Sequence, residues 1–289
     1  CSHHVADSRS GWARAYRELI SLLYSGQGPN IDVSDVRAAG ERLKTMGGRA
    51  SGPEPLLELM NFTINKFRDA AGRRLSSLEC HDIMCKIGDV VVVGGVRRSA
   101  LISLSDLSNR EMAHAKSGKW WEHSKHRQLA NNSVCYTEKP DIGTFMKEWL
   151  SLYDSKSGER GIFNRESARM KVLENGRREP DHEFGCNPCS EIILRPYQFC
   201  NLSEVVVRPN DTLEDLKTKV RLATTLGTFQ STLTNFKYLR RVWKKNTEEE
   251  RLLGVSLTGI MDHYLLSKTE DATRWLSEMK REAIDQNGY

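Results

Sequence analysis

Apolar positions recur at helical spacing in several stretches of the chain. In Ser10–Leu23 and Asp141–Asp154 they follow the 3.6-residue repeat of a helix with one apolar face. The segment Thr212–Phe229 opens with Thr212-Leu-Glu-Asp215, which is typical of a capping box at a helix start. Further helices are predicted at Leu56–Ala70, Ser77–Ile87 and Asp271–Ile284.

A different pattern, a run of β-branched residues, predicts strands between these helices. Asp89–Gly95 holds four consecutive valines, which indicates a strand of a parallel sheet buried on both faces. Ala100–Ser105 is predicted as a second strand, and Glu191–Leu194 and Glu204–Arg208 as strand ends. Strands that alternate with helices predict an α/β fold with a mostly parallel sheet. The remaining long segments, Val36–Pro55 and Gly158–Glu183, are predicted to be irregular.

The composition argues against a membrane protein and a disulfide-stabilised protein, and it does not favour a nucleic-acid-binding protein. The 289 residues carry 43 Lys+Arg against 38 Asp+Glu, a net charge of +5 that is spread along the chain. Because the positive charge is not concentrated in one block, it does not indicate a nucleic-acid-binding surface. It fits the binding of an anionic small ligand at least as well as the binding of a nucleic acid. No apolar run approaches the roughly 18 residues of a membrane span. Seven cysteines are too few for a disulfide scaffold and suit a reducing, cytoplasmic compartment. The chain begins at Cys1 instead of Met, so we expect a fragment.

The cysteine cluster Cys186-Asn-Pro-Cys189, followed by Cys200, is open to three interpretations. A zinc site would use these thiols with His182, but the second Cys-x-x-Cys pair of such sites is missing. A thioredoxin-like dithiol normally opens a helix, whereas an apolar strand-like run follows here. The third interpretation is a radical site, because a thiyl radical can take a hydrogen from a sugar at little net cost.

The residues around Cys189 fit the radical interpretation. Such chemistry needs a carboxylate as proton acceptor, an amide that orients hydroxyl groups, and further thiols as reductant. Asn187, Cys189 and Glu191 supply the amide, the thiol and the carboxylate. On an extended strand these alternate residues would point to the same side, so we expect them to face one pocket.

The motif Asn-Pro-Cys-x-Glu-Ile, with the later Phe-Cys-Asn-Leu, resembles the large catalytic chain of ribonucleotide reductases. Gly94–Ala100 resembles that family's effector-responsive loop. The eleven-residue separation of Cys189 and Cys200, and Ser117–Glu122, look most like the adenosylcobalamin-dependent ribonucleoside-triphosphate reductases. The resemblance implies part of a ten-stranded α/β barrel with flanking helices. It divides the chain into an effector-binding helical region, 1–75, and a partial catalytic barrel, 76–289.

The resemblance also implies roles for the motif residues. Cys189 would carry the thiyl radical and take the 3′ hydrogen of the ribose. Glu191 would act as general base, Asn187 would hold the sugar hydroxyls, and Cys200 would be one of two reducing thiols. The partner of Cys200 is expected outside this chain. Cys186 has no counterpart in the family pattern and is interpreted as a small buried residue.

Effector binding is implied at two loops. The first, Val36–Pro55, brings basic side chains and free amides that suit phosphates, and Asp7 would accept from a deoxyribose hydroxyl. The second loop, Gly94–Ala100, would lie between effector and substrate base; a solvated turn is the alternative. The predicted effector residues are Asp7, Arg37, Lys44, Gly95, Arg97, Arg98 and Ser99.

The implied activity is reduction of ribonucleoside triphosphates to their 2′-deoxy forms, with adenosylcobalamin as cofactor and no metal bound by the chain itself. Deoxynucleotide or ATP effectors and a thioredoxin-type reductant are the implied partners. Two alternatives stay open. One is a diphosphate reductase chain that depends on a separate metal-radical subunit, and the other is a truncated nucleotide-binding module without turnover.

Overall fold

The computed structural model describes residues 2–43, 48–90, 92–93, 96–97 and 99–288. Ten α-helices occur within these ranges. They are α1 Arg9–Tyr24, α2 Glu54–Asp69, α3 Ser77–Val90, α4 Arg110–Ala113, α5 Trp120–His123, α6 Ile142–Ser155, α7 Arg165–Asn175, α8 Leu213–Ser231, α9 Arg241–Glu250 and α10 Thr269–Asn287.

Eleven strands lie between the helices in the same ranges. They are β1 Ser2–His4, β2 Asn30–Asp32, β3 Val92–Val93, β4 Val96–Arg97, β5 Leu101–Ser105, β6 Ala130–Tyr136, β7 Gly161–Asn164, β8 Gly185–Cys186, β9 Ile193–Leu194, β10 Asn201–Val206 and β11 Leu253–Thr258. The longer pairings, β5-β6-β7 and β10-β11, are parallel. The predicted α/β class with parallel sheets is therefore confirmed.

The helices predicted from apolar spacing are present, with ends set by caps. Asp141 caps α6 by accepting from the Thr144 amide at 3.1 Å. At α8 the Thr212 hydroxyl accepts from the Asp215 amide, and the Asp215 carboxylate accepts from the Thr212 amide at 2.9 Å. This reciprocal pair is the predicted capping box, and it satisfies two donors that the first helical turn leaves free.

The chain divides into two compact units. Unit 1 comprises Cys1–Ala168 and Asn187–Cys189. One of its apolar clusters joins α1 and α2 through Leu19, Leu56 and Met60. A second, smaller cluster places Cys85 of α3 against the start of β6. The parallel sheet β5-β6-β7 also lies in this unit.

Unit 2 comprises Arg169–Cys186 and Ser190–Tyr289. Its core packs β10 and β11 against α8 and α10, and Leu216 and Val220 of α8 are buried against Met279 of α10. Unit 2 therefore has a core of its own, built from a parallel strand pair and two long helices.

The predicted buried parallel strand at Asp89–Gly95 is wrong. Helix α3 continues through Asp89 to Val90, and Val92–Val93 form a two-residue strand, β3, that pairs antiparallel with β4. The buried positions His81, Cys85 and Gly88 recur at helical spacing and extend the helix into the valine run. Tertiary packing here overrides the β propensity of valine.

The predicted irregular segment Gly158–Glu183 is also wrong in its first half. Strand β7 pairs parallel with β6, and α7 follows it directly. Arg160, immediately before β7, is only 5% exposed and forms an ion pair with Glu148 of α6 at 2.8 Å. The charge of Arg160 is thus paired inside the fold.

Candidate functional site

The Asn187-x-Cys189-x-Glu191 motif lies in a hairpin turn. Strands β8 and β9 pair antiparallel, with Gly185 opposite Leu194 and Cys186 opposite Ile193, and the motif spans the turn between them. Ser190 has a φ of 66°, which an extended strand does not allow. The expectation that alternate residues of the motif share one strand face is therefore wrong.

The turn places the thiol of Cys189 on the surface. Cys189 is a free, exposed cysteine, and Asn187 beside it is half-buried. Pro188 between them has no amide hydrogen and so could not donate to a strand ladder. A turn leaves the thiol open to a reaction partner, which a strand buried in a sheet would not.

Within unit 1 the turn is held by β6. The side-chain amide of Asn131 donates to the Pro188 carbonyl at 2.8 Å. The next residue, Asn132, is buried and contacts the His81 ring at 3.0 Å. Asn131 and Asn132 therefore connect the motif turn to helix α3 through adjacent positions of one strand.

One buried carboxylate, that of Asp82, is surrounded by a lysine, an arginine and two histidines. Asp82 of α3 is 1% exposed, and Arg127 donates to both of its oxygens, at 2.6 and 2.9 Å. Lys66 and His126 lie 3.0 and 2.9 Å from the same carboxylate. His126 is thus part of a largely buried cluster. We call Lys66, His81, Asp82, His126 and Arg127 the Asp82 cluster.

Opposing effects set the pKa values in the Asp82 cluster. Burial alone would raise the pKa of Asp82, but its cationic neighbours, led by Arg127, hold it well below its usual range. Burial alone would lower the pKa of His81. Hydrogen bonds to Asp82, Cys85 and Asn132 instead raise it to about 9, so the ring is protonated at neutral pH.

The other motif residues lie in unit 2. Glu191 is exposed, whereas Cys186 and Cys200 are half-buried free thiols. Burial raises the pKa of both thiols, and the negative charge of Glu191 raises each further. Both side chains therefore carry their S–H hydrogen at neutral pH. Cys186, interpreted as a small buried residue, also contacts the Ser190 hydroxyl at 3.6 Å.

Two buried polar residues fix the chain between Glu191 and Cys200. Arg195 donates to the Asn246 carbonyl at 3.1 Å and forms an ion pair with Glu249. Gln198 is 5% exposed and bonds to Glu250. Both partners lie on α9, so the segment before Cys200 is tied to this helix. The sequence pattern did not point to Arg195, Gln198 or α9, because this helix is mostly polar and has few apolar positions.

The zinc interpretation finds no support in the part of the chain that is described, where no three His, Cys, Asp or Glu side chains could hold a metal ion. His182, the suggested fourth ligand, lies 3.2 Å from the guanidinium of Arg195. In the described ranges there is also no helix with the length and apolarity that crossing a membrane requires.

The predicted effector residues are placed only in part. Arg37 donates to Asp7 at 2.7 Å, so these two side chains form an ion pair with each other. Ser99 is half-buried just before β5. The backbone of Arg97 lies in β4, but its side chain is outside the described residues. The others of the set lie entirely outside them, namely Lys44, Gly95 and Arg98.

The sequence is similar to one family model and to several proteins of known function. Residues 1–67 match the family model of the insertion domain of B12-dependent ribonucleotide reductases. The adenosylcobalamin-dependent ribonucleoside-triphosphate reductase of Lacticaseibacillus paracasei is 34% identical over 273 residues, which cover 90% of this chain and 35% of that protein. The enzyme of the same name from Lactobacillus acidophilus is 30% identical over 307 residues, covering 99% of this chain and 40% of that protein.

The chain is related to the B12-dependent ribonucleotide reductases. The resemblance read from the cysteine motif is thereby confirmed. The chain spans a little over a third of the length of these relatives. The division into 1–75 and 76–289 stays a prediction, and the match to the insertion domain lies within the first of these regions.

The fold agrees with the same family. A crystal structure of a B12-dependent (class II) ribonucleotide reductase superposes with a TM-score of 0.75 at 23% identity, covering 99% of this chain and 43% of the other. The predicted fold, part of a ribonucleotide-reductase α/β barrel, is confirmed by this likeness and by the parallel pairing of the longer strands.

Proposed function

We propose that the chain is the thiyl-radical segment of an adenosylcobalamin-dependent reductase that converts ribonucleoside triphosphates into 2′-deoxyribonucleoside triphosphates. The observation that carries this proposal is the hairpin turn, which exposes the Cys189 thiol in a motif that has an amide, Asn187, and a carboxylate, Glu191, two residues to either side in the sequence. The names of the relatives support the triphosphate substrate and the cofactor.

In this proposal Cys189 reacts first with the sugar. Its sulfur radical takes the hydrogen atom from C3′, and Glu191 accepts the proton of the 3′-hydroxyl. The 2′-hydroxyl then leaves as water, with a proton that one of the two reducing thiols gives up. Asn187 holds the hydroxyl groups, so that C3′ and not a neighbouring carbon meets the sulfur.

Cys200 supplies reducing hydrogen in the second half of the reaction. Together with a second thiol it provides two electrons and is oxidised to a disulfide, while Cys189 returns its hydrogen to C3′. The raised pKa of Cys200 supports this role, because a protonated thiol still holds the hydrogen that is to be given. A thioredoxin-type dithiol would then reduce the disulfide by exchange.

The exposed thiol of Cys189 fits a bulky external radical source, because nothing in the turn covers its sulfur. Bound adenosylcobalamin supplies the radical that the sulfur of Cys189 takes over. Asn131 and Ser190 are the neighbours that would keep the thiol in position, through the bond to Pro188 and the left-handed backbone of the turn. Deoxynucleotide or ATP effectors would bind near the Asp7–Arg37 pair and the loop before Ser99.

The test places this chain in a complete enzyme. The matching segment of the Lacticaseibacillus paracasei reductase is replaced by this chain, and deoxynucleotide is measured with ribonucleoside triphosphate, a dithiol and adenosylcobalamin. We expect product, and we expect Cys189→Ser to abolish it. The matched control is Cys80→Ser, which removes an exposed thiol of α3 outside the motif and should leave turnover unchanged.

Two results would contradict the proposal. Turnover that survives Cys189→Ser would remove the thiyl role. Product that requires an added metal-radical subunit, and not adenosylcobalamin, would overturn the cofactor.

A further inference from the structure

A cavity of about 570 Å³ lies inside unit 2, among β9, α7, α8, β11 and α10. None of the predicted effector or catalytic residues lines it. Its apolar side is formed by β11 and α10, where Leu253, Val255 and Met279 line the wall. This volume is within the range of sites that bind small organic ligands.

The rest of the lining is strongly basic. Five cationic side chains face one carboxylate, Glu250. Arg178 and Glu250 form an ion pair with each other at 2.9 Å. In the described part of the chain, no ion pair or side-chain hydrogen bond engages Arg177 or Arg251. Their charges are therefore free to bind an anion.

The Arg178–Glu250 pair is incompletely satisfied. The Arg178 side chain is 18% exposed and that of Glu250 10%, and the pair accounts for only some of their polar atoms. The Arg178 Nε donor and the Glu250 Oε1 acceptor are buried without a partner among the described residues. Buried polar groups are normally paired, so a donor and an acceptor left free beside a cavity indicate a polar group that enters it.

We propose that this basic cavity binds a nucleoside triphosphate, at a site separate from the Cys189 turn and from the predicted effector loops. The phosphates would meet Arg177, Arg251 and Lys280, and the base would pack on Leu253 and Met279. A ribose hydroxyl or a base edge offers both a donor and an acceptor, which the free atoms of Arg178 and Glu250 require. A simple aliphatic acid offers no such pair.

The test is a fluorescence titration of this chain with N-methylanthraniloyl-ATP at low salt. We expect saturable binding that weakens about tenfold or more in the double variant Arg177→Ala/Arg251→Ala, because two charge-assisted contacts are lost. The matched control, Lys244→Ala/Lys245→Ala, removes two cations from α9 of the same unit and should change the affinity less than about twofold.

A second variant and a competition series complete the test. Leu276→Trp, which fills the cavity from α10, should also abolish binding, and circular dichroism checks that each variant is folded. Unlabelled ATP should compete at least about tenfold better than inorganic tripolyphosphate, because the organic part is also bound. Equal competition by tripolyphosphate, unchanged affinity in the Arg177/Arg251 variant, or no saturable binding would each overturn the proposal.

Discussion

The three thiols around the motif have different surroundings. Cys189 is exposed on the turn, whereas Cys186 and Cys200 are half-buried in unit 2. Burial and the charge of Glu191 both disfavour the thiolates of the latter two. The proposed radical carrier is thus accessible, and the proposed reductant is shielded and protonated. Such a division protects the reducing thiol from adventitious alkylation and oxidation, because the thiolate is the reactive form.

This difference predicts an order of alkylation. With iodoacetamide at pH 8, Cys189 and the exposed Cys80 should be labelled well before Cys200, as measured by mass spectrometry of the peptides. Glu191→Gln removes the negative charge near Cys200 and should lower the pKa of that thiol. We expect its labelling to become roughly twofold faster, a small change because burial is the larger cause.

Glu204→Gln is the matched control for this experiment, since it removes the same charge from an exposed position of β10 in the same unit. It should leave the labelling rate of Cys200 unchanged. Labelling of Cys200 as fast as that of Cys189 would contradict the burial of the reducing thiol.

Two elements, β6 and α3, hold the motif turn in place: β6 bonds to the Pro188 carbonyl, and α3 contacts β6. The Asp82 cluster connects α3 to α2 and to the segment before β6. His81 of the cluster also contacts Asn132 of β6, the strand whose Asn131 bonds to Pro188. Arg127 and Lys66 are stable beside this buried carboxylate only while the carboxylate is charged. The position of the turn therefore depends on a polar cluster and not on apolar packing alone.

Loss of the central carboxylate should destabilise this arrangement strongly. Asp82→Asn leaves Arg127 and Lys66 without their buried counter-charge, and we expect a loss of about 3–5 kcal/mol in the free energy of unfolding of unit 1. Urea denaturation followed by circular dichroism measures it. Asp89→Asn removes a half-buried carboxylate of the same helix that is paired with Lys86, and should cost less than about 1 kcal/mol. Equal effects of the two substitutions would contradict the assigned role.

The same cluster predicts how the stability of unit 1 depends on pH. The pKa of Asp82 is lowered on folding, so its contribution is present above about pH 4, near the unfolded value, and is lost as the pH falls below it. The pKa of His81 is raised to about 9, so its contribution is complete below about 6.5 and is lost as the pH rises through 9.

Denaturation midpoints measured from pH 3 to 10 should therefore be highest between about pH 4 and 6.5. Asp82→Asn should flatten both limbs of the profile, since it removes the titrating carboxylate and the main partner of His81. A rise in stability between pH 7 and 9 would show that His81 is not protonated in the folded state.

How far the sequence predicts these elements depends on how local their causes are. Helices α6 and α8 follow from apolar spacing and from caps within four residues, and both are predicted correctly. Strand β7 depends on pairing with β6 and on the Arg160–Glu148 ion pair, which are contacts over longer distances in the chain. The motif identifies Cys189 as a candidate, but its turn depends on the backbone of Ser190 and on Asn131, which residue spacing does not reveal.

At the scale of the whole molecule, the two units have separate apolar cores. In unit 1, Leu19, Leu56 and Met60 pack between α1 and α2, and in unit 2 Leu216 packs among β10, α8 and α10. The motif crosses the boundary between the units, because Cys189 belongs to unit 1 and Glu191 and Cys200 to unit 2. Each unit is stabilised by its own core.

Because the cores are separate, a destabilising substitution in one core should increase deuterium uptake in that unit alone. Hydrogen–deuterium exchange measures this uptake peptide by peptide. Leu216 is fully buried, and Leu216→Ala should cost about 2–5 kcal/mol through lost contacts and the cavity that remains. Deuterium uptake should then rise in β10, α8 and α10, while α1 and α2 keep their protection. Leu56→Ala, the matched substitution in unit 1, should give the reverse pattern. If either variant raised uptake equally in both units, the chain would unfold as one cooperative body, and the two cores would not be independent in energy.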